Sequence, residues 1–149
     1  MIRKAKLQEI PVIQELVNAF AREELMLPVS IGDIIERFHD FFVAEKDGRI
    51  IGTVALHVTW QDLVEIRSLT VRREEQKTGL GRKLVEAALA RAREIGAPRV
   101  FTLTYIPEFF EKLGFVRIDR AELPHKVWQD CVKCPKFPDC GEIALTLDL

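Results

Sequence analysis

Two groups of residues in this 149-residue chain have types and spacings suited to chemistry. The first is Gln76-Lys-Thr-Gly-Leu-Gly-Arg82, where two glycines flank one leucine between the strand-like run LVEIRSLTV and a long run of helix formers. A strand, a glycine turn and a helix start leave backbone N–H groups unpaired at the positive end of a helix dipole, which suits a phosphate. Neither the Walker pattern nor the three-glycine dinucleotide fingerprint is present. An isolated G-x-G also has a plainer reading, in which Thr78 caps the helix and Gly79 and Gly81 permit close packing. The second group is His125, Cys131, Cys134 and Cys140, a set that could wrap a tetrahedral zinc, although its spacing is not a common finger pattern. Free thiols shaping a pocket, or a redox-sensitive pair, are the alternatives, and an odd number of cysteines cannot pair completely within one chain.

The elements that must position these residues follow from periodicity. Residues 2–6 read as a short strand, 8–24 as a helix with Ile10, Ile13, Leu16, Val17 and Phe20 on one face, and 31–39 as a second helix. FFVAEKDGRIIGTVAL reads as a hairpin turning at Asp47-Gly48. After the strand LVEIRSLTV, a helix starts near Gly79, carries Leu80, Leu84, Ala88 and Ala92 on one stripe, and stops at Gly96-Ala97-Pro98. RVFTLTY is a strand, PEFFEKLG a short helix, FVRID a strand, LPHKVWQD a helical turn or two, and EIALTLDL a closing strand. The pattern predicts one α+β domain over residues 1–149, with a mostly antiparallel sheet and helices on its faces.

Composition bounds the function. A formal charge of -1 provides no field to collect nucleic acid or an anionic membrane, so an anion must be held by local arrangement. No window approaches the roughly 18 apolar residues of a membrane span, and the start MIRKAKLQEIPVIQELV has no signal-peptide pattern, so a soluble, cytoplasmic protein is expected. His39 and His57 lie among apolar neighbours and read as structural, as do Trp60 and Trp128.

Gln76-x-x-Gly79-x-Gly81 after the strand LVEIRSLTV resembles the Q/R-x-x-G-x-G/A acyl-CoA pyrophosphate loop of the GNAT acetyltransferase superfamily, and Phe109-Phe-Glu-Lys-Leu-Gly-Phe115 resembles its F-Y-E-K-x-G-F hallmark. The C-terminal segment AELPHKVWQDCVKCPKFPDCGEIAL is similar to that of short, single-domain N-acetylglutamate synthase-like proteins. The resemblance implies acetyl-CoA as donor, with Leu69, Thr70 and Val71 along its pantetheine arm and Gln76, Lys77, Thr78, Gly79, Leu80, Gly81 and Arg82 around its pyrophosphate. Arg72, Arg73 and Lys83 add positive charge nearby. The implied reaction acetylates the α-amine of a small amino-acid substrate, glutamate first and glutamine second, at the entry to arginine biosynthesis. In that reading Glu65 accepts the ammonium proton, backbone N–H groups near Leu69 face the oxyanion, and Arg67 and Lys126 hold the carboxylates. Phe110 occupies the place of the family's usual tyrosine acid, which leaves Tyr105, the sole tyrosine, as a substitute. A CoA-sensing or amino-acid-sensing module and an acetyltransferase of protein amines are the rival readings, and a homodimer is compatible with the exposed strand edge.

Overall fold

The computed structural model describes residues 1–23, 26–124 and 141–149. Seven strands, β1 (Ile2–Lys4), β2 (Phe41–Lys46), β3 (Arg49–Trp60), β4 (Leu63–Val71), β5 (Arg99–Thr104), β6 (Val116–Ile118) and β7 (Ile143–Asp148), form one sheet in the order β1-β2-β3-β4-β5-β7-β6. Every neighbouring pair is antiparallel except β4 and β5, which run parallel. The helices are α1 (Ile10–Arg22), α2 (Ile31–Glu36), α3 (Leu80–Glu94) and α4 (Pro107–Glu111). The α+β class with a mostly antiparallel sheet, expected from the sequence, is the architecture found.

Alternation along the strands separates two cores. Val54, Leu56, Val64 and Ile66 point to one face, where Leu84, Val85, Ala88, Leu89 and Ala92 of α3 and Phe110 of α4 cover them. Phe41, Val43 and Ala55 point to the other face and meet Ile10, Ile13, Leu16 and Val17 of α1 and Ile34 of α2. Each helix therefore buries the stripe that its 3.6-residue period predicts. A smaller cluster of Leu63, Phe101, Leu123 and Ala144 closes the end of the sheet nearer the C-terminus.

Local chemistry sets the boundaries. Asp47 and Gly48 both take positive φ between Lys46 and its partner Arg49, so the hairpin turn lies where the sequence puts it. The helix expected over 31–39 is shorter: Ser30 and Asp33 cap its start reciprocally, but it ends at Glu36 and continues as a 3-10 turn, Phe38–Asp40. Phe38 packs on the α1–α2 core there, immediately before the buried Phe41 opens β2. The first strand is also shorter than expected, because Lys6 N–H donates to Glu9 Oε1 at 2.7 Å and starts a 3-10 turn, Leu7–Glu9. Arg3 joins this turn to β2 through both Glu9 and Glu45, and its guanidinium holds the Glu9 carboxyl below the usual range. Most of the helical stretch expected in LPHKVWQD lies outside the described residues; Arg120–Glu122 just before it is a 3-10 turn. No helix among the described residues is long and apolar enough to cross a membrane.

Gly52 of β3 lies directly beneath Leu84 and Leu80 of helix α3 and beside the backbone of β4. A Cβ there would lie 2.8 Å from the Thr70 carbonyl oxygen and 2.9 Å from Leu84 Cδ1, so the backbone of β4 itself would have to yield. Gly52→Ala is expected to destabilise the fold by about 1–3 kcal/mol, the usual range for overpacking, seen as a lower urea midpoint at unchanged m-value. A midpoint equal to that of the wild type would mean that α3 sits on the sheet with slack.

Candidate functional site

The site is organised by an interruption in the sheet. Strand β4 pairs with β5 only through Val64↔Val100, Glu65↔Phe101 and Ile66↔Thr102, and the Thr102 hydroxyl ends the zipper by donating to Ile66 O at 2.8 Å. Beyond that point β4 runs on to Val71 along β3, while β5 runs on to Thr104 along β7. The two facing strand edges are left without each other, and an extended ligand can add there through backbone hydrogen bonds, as peptides add to open sheet edges. Leu69 and Val71 turn their side chains toward the α3 core, which leaves their backbone groups in the plane of the opening.

The strand is irregular where it leaves β5. Thr53↔Thr70 and Ala55↔Arg67 are matched pairs, so Ser68 and Leu69 together oppose Val54: a β-bulge on β4. Ser68 has φ 55, a conformation few non-glycine residues adopt. Nothing in the linear sequence marks this bulge, because its only signal is the register between two strands.

Past β4 the chain makes a 3-10 turn, Arg73–Glu75, and then the loop that opens α3. Lys77 and Gly79 both have positive φ, 65 and 85, which curls the peptide groups around a concavity. Gly79, not Thr78, is the N-cap; the Thr78 hydroxyl instead donates to Glu75 O at 2.6 Å and stiffens the turn before it. Lys83 donates to Gly79 O, while the N–H groups of residues 80–82 precede any intrahelical acceptor. The two glycines do different jobs. A Cβ on Gly79 would meet nothing within 4 Å, so its φ is the requirement; a Cβ on Gly81 would come within 3.4 Å of the Phe109 ring.

Positive charge near the loop is partly committed. Arg72 donates to Ile50 O at 2.7 Å, Arg73 pairs with Glu23, and Arg82 pairs with Glu86 at 2.9 Å. Among the described residues, Lys77 and Lys83 have no ion pair, and both are exposed. Gln76 donates its side-chain amide to Val71 O at 3.0 Å, tying the loop back to the end of β4.

Glu65 and Arg67 flank Ile66, the residue where the strands part, and both point to the α1–α2 face. Arg67 Nη1 lies 3.6 Å from Glu65 Oε1, beyond hydrogen-bond reach, and it is buried with no hydrogen-bond partner. The Glu65 side chain is 12% exposed and that of Arg67 is 28% exposed, so both are lifted out of bulk water but reachable. His57 stands directly across from Glu65, and its Nδ1 is 2.7 Å from Asp40 Oδ2, a pair that ties the 3-10 turn before β2 to β3. The arrangement agrees with a structural His57 and also adds two polar groups beside Glu65 that the sequence did not point to. Such a cluster can bind a charged small molecule and accept a proton from it.

The remaining expected residues divide cleanly. Tyr105 lies one residue past the end of β5, and a Cβ on Gly141 would sit 3.6 Å from its ring. Phe110 is 3% exposed, edge-on to Phe109 and Phe115, so the position where the resemblance would put a tyrosine hydroxyl belongs to the α3-side core. Lys126 and the metal candidates His125, Cys131, Cys134 and Cys140 lie outside the described residues. Among the described residues no three His, Cys, Asp or Glu are grouped to hold a metal ion.

Comparison with known proteins matches this geometry to a family. The model of the acetyltransferase (GNAT) family matches residues 9–115. An uncharacterized N-acetyltransferase of Chlorobaculum tepidum is 40% identical over 148 residues, which span 99% of this chain and 96% of the relative. An amino-acid acetyltransferase of Mycobacterium tuberculosis is 34% identical over 152 residues, spanning 100% of this chain and 84% of the relative. The crystal structure of N-acetylglutamate synthase from Neisseria gonorrhoeae, complexed with coenzyme A and N-acetyl-glutamate, matches 100% of this chain and 35% of its own with a TM-score of 0.89 at 27% identity. With the parted strands, the bulge and the glycine loop in place, and the family model covering most of the sequence, this chain belongs to the GNAT family of acetyltransferases.

Proposed function

We propose that the protein transfers acetyl from acetyl-CoA to the α-amine of an amino acid, L-glutamate first and L-glutamine second, at the entry to arginine biosynthesis. The observation that carries this reading is the opening between β4 and β5, with the loop before α3 at one side and the Glu65–Arg67 pair at the point where the strands part. The Mycobacterium tuberculosis and Neisseria gonorrhoeae relatives, named for amino-acid acetylation and N-acetylglutamate synthesis, support the substrate class.

The residues fit acetyl-CoA. On the side of β4 that faces β5, Leu69 and the Val71 N–H have no strand partner and offer an edge for the pantetheine arm, with Thr70 between them in register with Thr53 of β3 and Val71 O accepting from Gln76. The amides from Lys77 to Arg82 curl at a helix start, and Gly79 presents no side chain, which suits the pyrophosphate. When bound, acetyl-CoA supplies an activated acetyl thioester. Glu65 takes the proton of the substrate ammonium, a role that its partial burial and neighbouring Arg67 allow without fixing it in a tight ion pair. The Arg67 guanidinium, with one buried nitrogen unpartnered, holds a substrate carboxylate, and Lys126 is the second cation assigned to that task. Tyr105, one residue past the end of β5, is the residue assigned to protonate the leaving thiolate.

The test is product detection by mass spectrometry after mixing the full-length protein with acetyl-CoA and single amino acids. N-acetylglutamate or N-acetylglutamine with steady turnover is the expected result. CoA binding with no acetylated amino acid would turn the assignment toward a sensing module or an enzyme acting on protein amines.

Two sets of variants probe the assigned roles. Glu65→Gln is expected to lower kcat by about 10²–10⁴-fold with little change in the KM for acetyl-CoA, whereas Arg67→Ala raises the KM for the amino acid about tenfold or more. Equal loss of kcat in both variants, at unchanged KM, would remove Arg67 from substrate binding. Gly79→Ala forces a left-handed alanine at a cost of about 1–2 kcal/mol and is expected to weaken CoA binding up to about tenfold, as read by calorimetry. Unchanged affinity would place the phosphate grip elsewhere.

A further inference from the structure

The bulge in β4 is held by a chain of hydroxyls. Thr53 Oγ1 donates to Ser68 O at 2.8 Å, and the same Thr53 Oγ1 lies 2.8 Å from Thr70 Oγ1. A hydroxyl has one proton to give, and a carbonyl oxygen can only accept. The Thr53 proton is therefore on Ser68 O, and the Thr70 proton must point to Thr53. Thr53 is 0% exposed and Thr70 1%, so water does not compete for either bond. Ser68 needs such a restraint, because its φ of 55 is unfavourable for a residue with a Cβ.

The direction of that restraint matters. In a planar trans peptide the C=O and the following N–H point opposite ways. Drawing Ser68 O toward Thr53 of β3 turns the Leu69 N–H away from β3, toward the side where β4 has left β5. Leu69 has no register partner on either neighbouring strand.

We propose that Thr53 and Thr70 are positioning residues whose Thr70–Thr53–Ser68 relay holds the Leu69 N–H, the oxyanion donor that the family resemblance implies, aimed into the β4–β5 opening. The inference rests on the acetyl-transfer reading above, and it assigns the two threonines a task that core filling does not explain. Valine would fill the same space as threonine; only the hydroxyl orients the peptide. A donor fixed before the reaction costs no reorganisation during it, which is why loss of such a donor typically lowers kcat by about 10²–10³-fold.

The experiment compares full-length wild type with Thr53→Val, Thr53→Ser and Thr70→Val, measuring kcat, KM, calorimetric CoA affinity and the ¹⁵N–¹H resonance of Leu69 in ligand-free protein. Thr53→Val is expected to lower kcat by about 10–100-fold, to keep CoA affinity within about threefold, and to shift the Leu69 amide. Thr53→Ser, which keeps the hydroxyl, restores both readouts. Thr70→Val leaves the Thr53–Ser68 bond and is expected to give a smaller fall and a smaller shift in the same direction. The proposal is overturned if Thr53→Val keeps kcat within about twofold, if the Leu69 amide does not move, or if Thr53→Ser fails to restore it. Should Thr53→Val not fold, Thr70→Val decides: kcat and a Leu69 resonance both equal to wild type would also overturn it. If the wild type acetylates no amino acid, the functional reading fails on that result, whereas the Leu69 resonance still reports on the relay.

Discussion

Every backbone amide and carbonyl in a sheet needs a partner, and this fold depends on one place where the rule is suspended. Strand β4 is zipped to β3 over most of its length but to β5 over only three residues. The parallel contact is just long enough to join the two halves of the sheet into one core, and it then stops. Unpaired strand edges are normally a hazard because they invite another chain. Here the edge lies between two strands of the same sheet rather than at its outer border. Helices support both faces of the sheet beside the opening, α3 against β3 and β4 and α1 on the reverse side.

Electrostatics divides the same region into two compartments. Around the loop, most arginines are already satisfied by carbonyls or carboxylates, and the exposed Lys77 and Lys83 keep mobile charge in solvent. Exposed pairs of this kind contribute little to stability; they shape the field around the loop. On the opposite face Glu65, Arg67, His57 and Asp40 form a half-buried polar cluster whose members are held at fixed distances. A guanidinium nitrogen that is buried and unpartnered is costly in a free protein.

The sequence carries the periodic and the covalent information well. Stripes such as Ile10, Ile13, Leu16 and Val17, and the turn at Asp47-Gly48, place helices and the hairpin where they are found, because burial and positive φ are local demands. The glycine loop is legible for the same reason, Leu69 follows from the family resemblance, and Glu65 and Arg67 follow from the proton and charge that the implied reaction must handle. Less visible were features set by register. The bulge at Ser68, the buried Thr53–Thr70 pair and the His57–Asp40 bond opposite Glu65 join residues at least 15 positions apart, and none of these residue types is unusual on a strand. Thr78 was a fair candidate for a cap, but a left-handed Gly79 lies between it and the helix, so its hydroxyl turned back to Glu75.

The contact between Gly81 and Phe109 joins two motifs that are 28 residues apart in sequence. Phe109 stands edge-on to Phe110, and Phe110 to Phe115, so the aromatic run that begins α4 extends from the core to the underside of the loop. The two hallmarks are thus one mechanical part: the aromatic stack is the floor on which the loop rests. A methyl group at position 81 would rest in contact with the Phe109 ring, whereas side chains beyond that size would have to share the space with residue 109. The curvature of the loop is thus supported from within the fold, by the aromatic residues of α4 as well as by its own glycines.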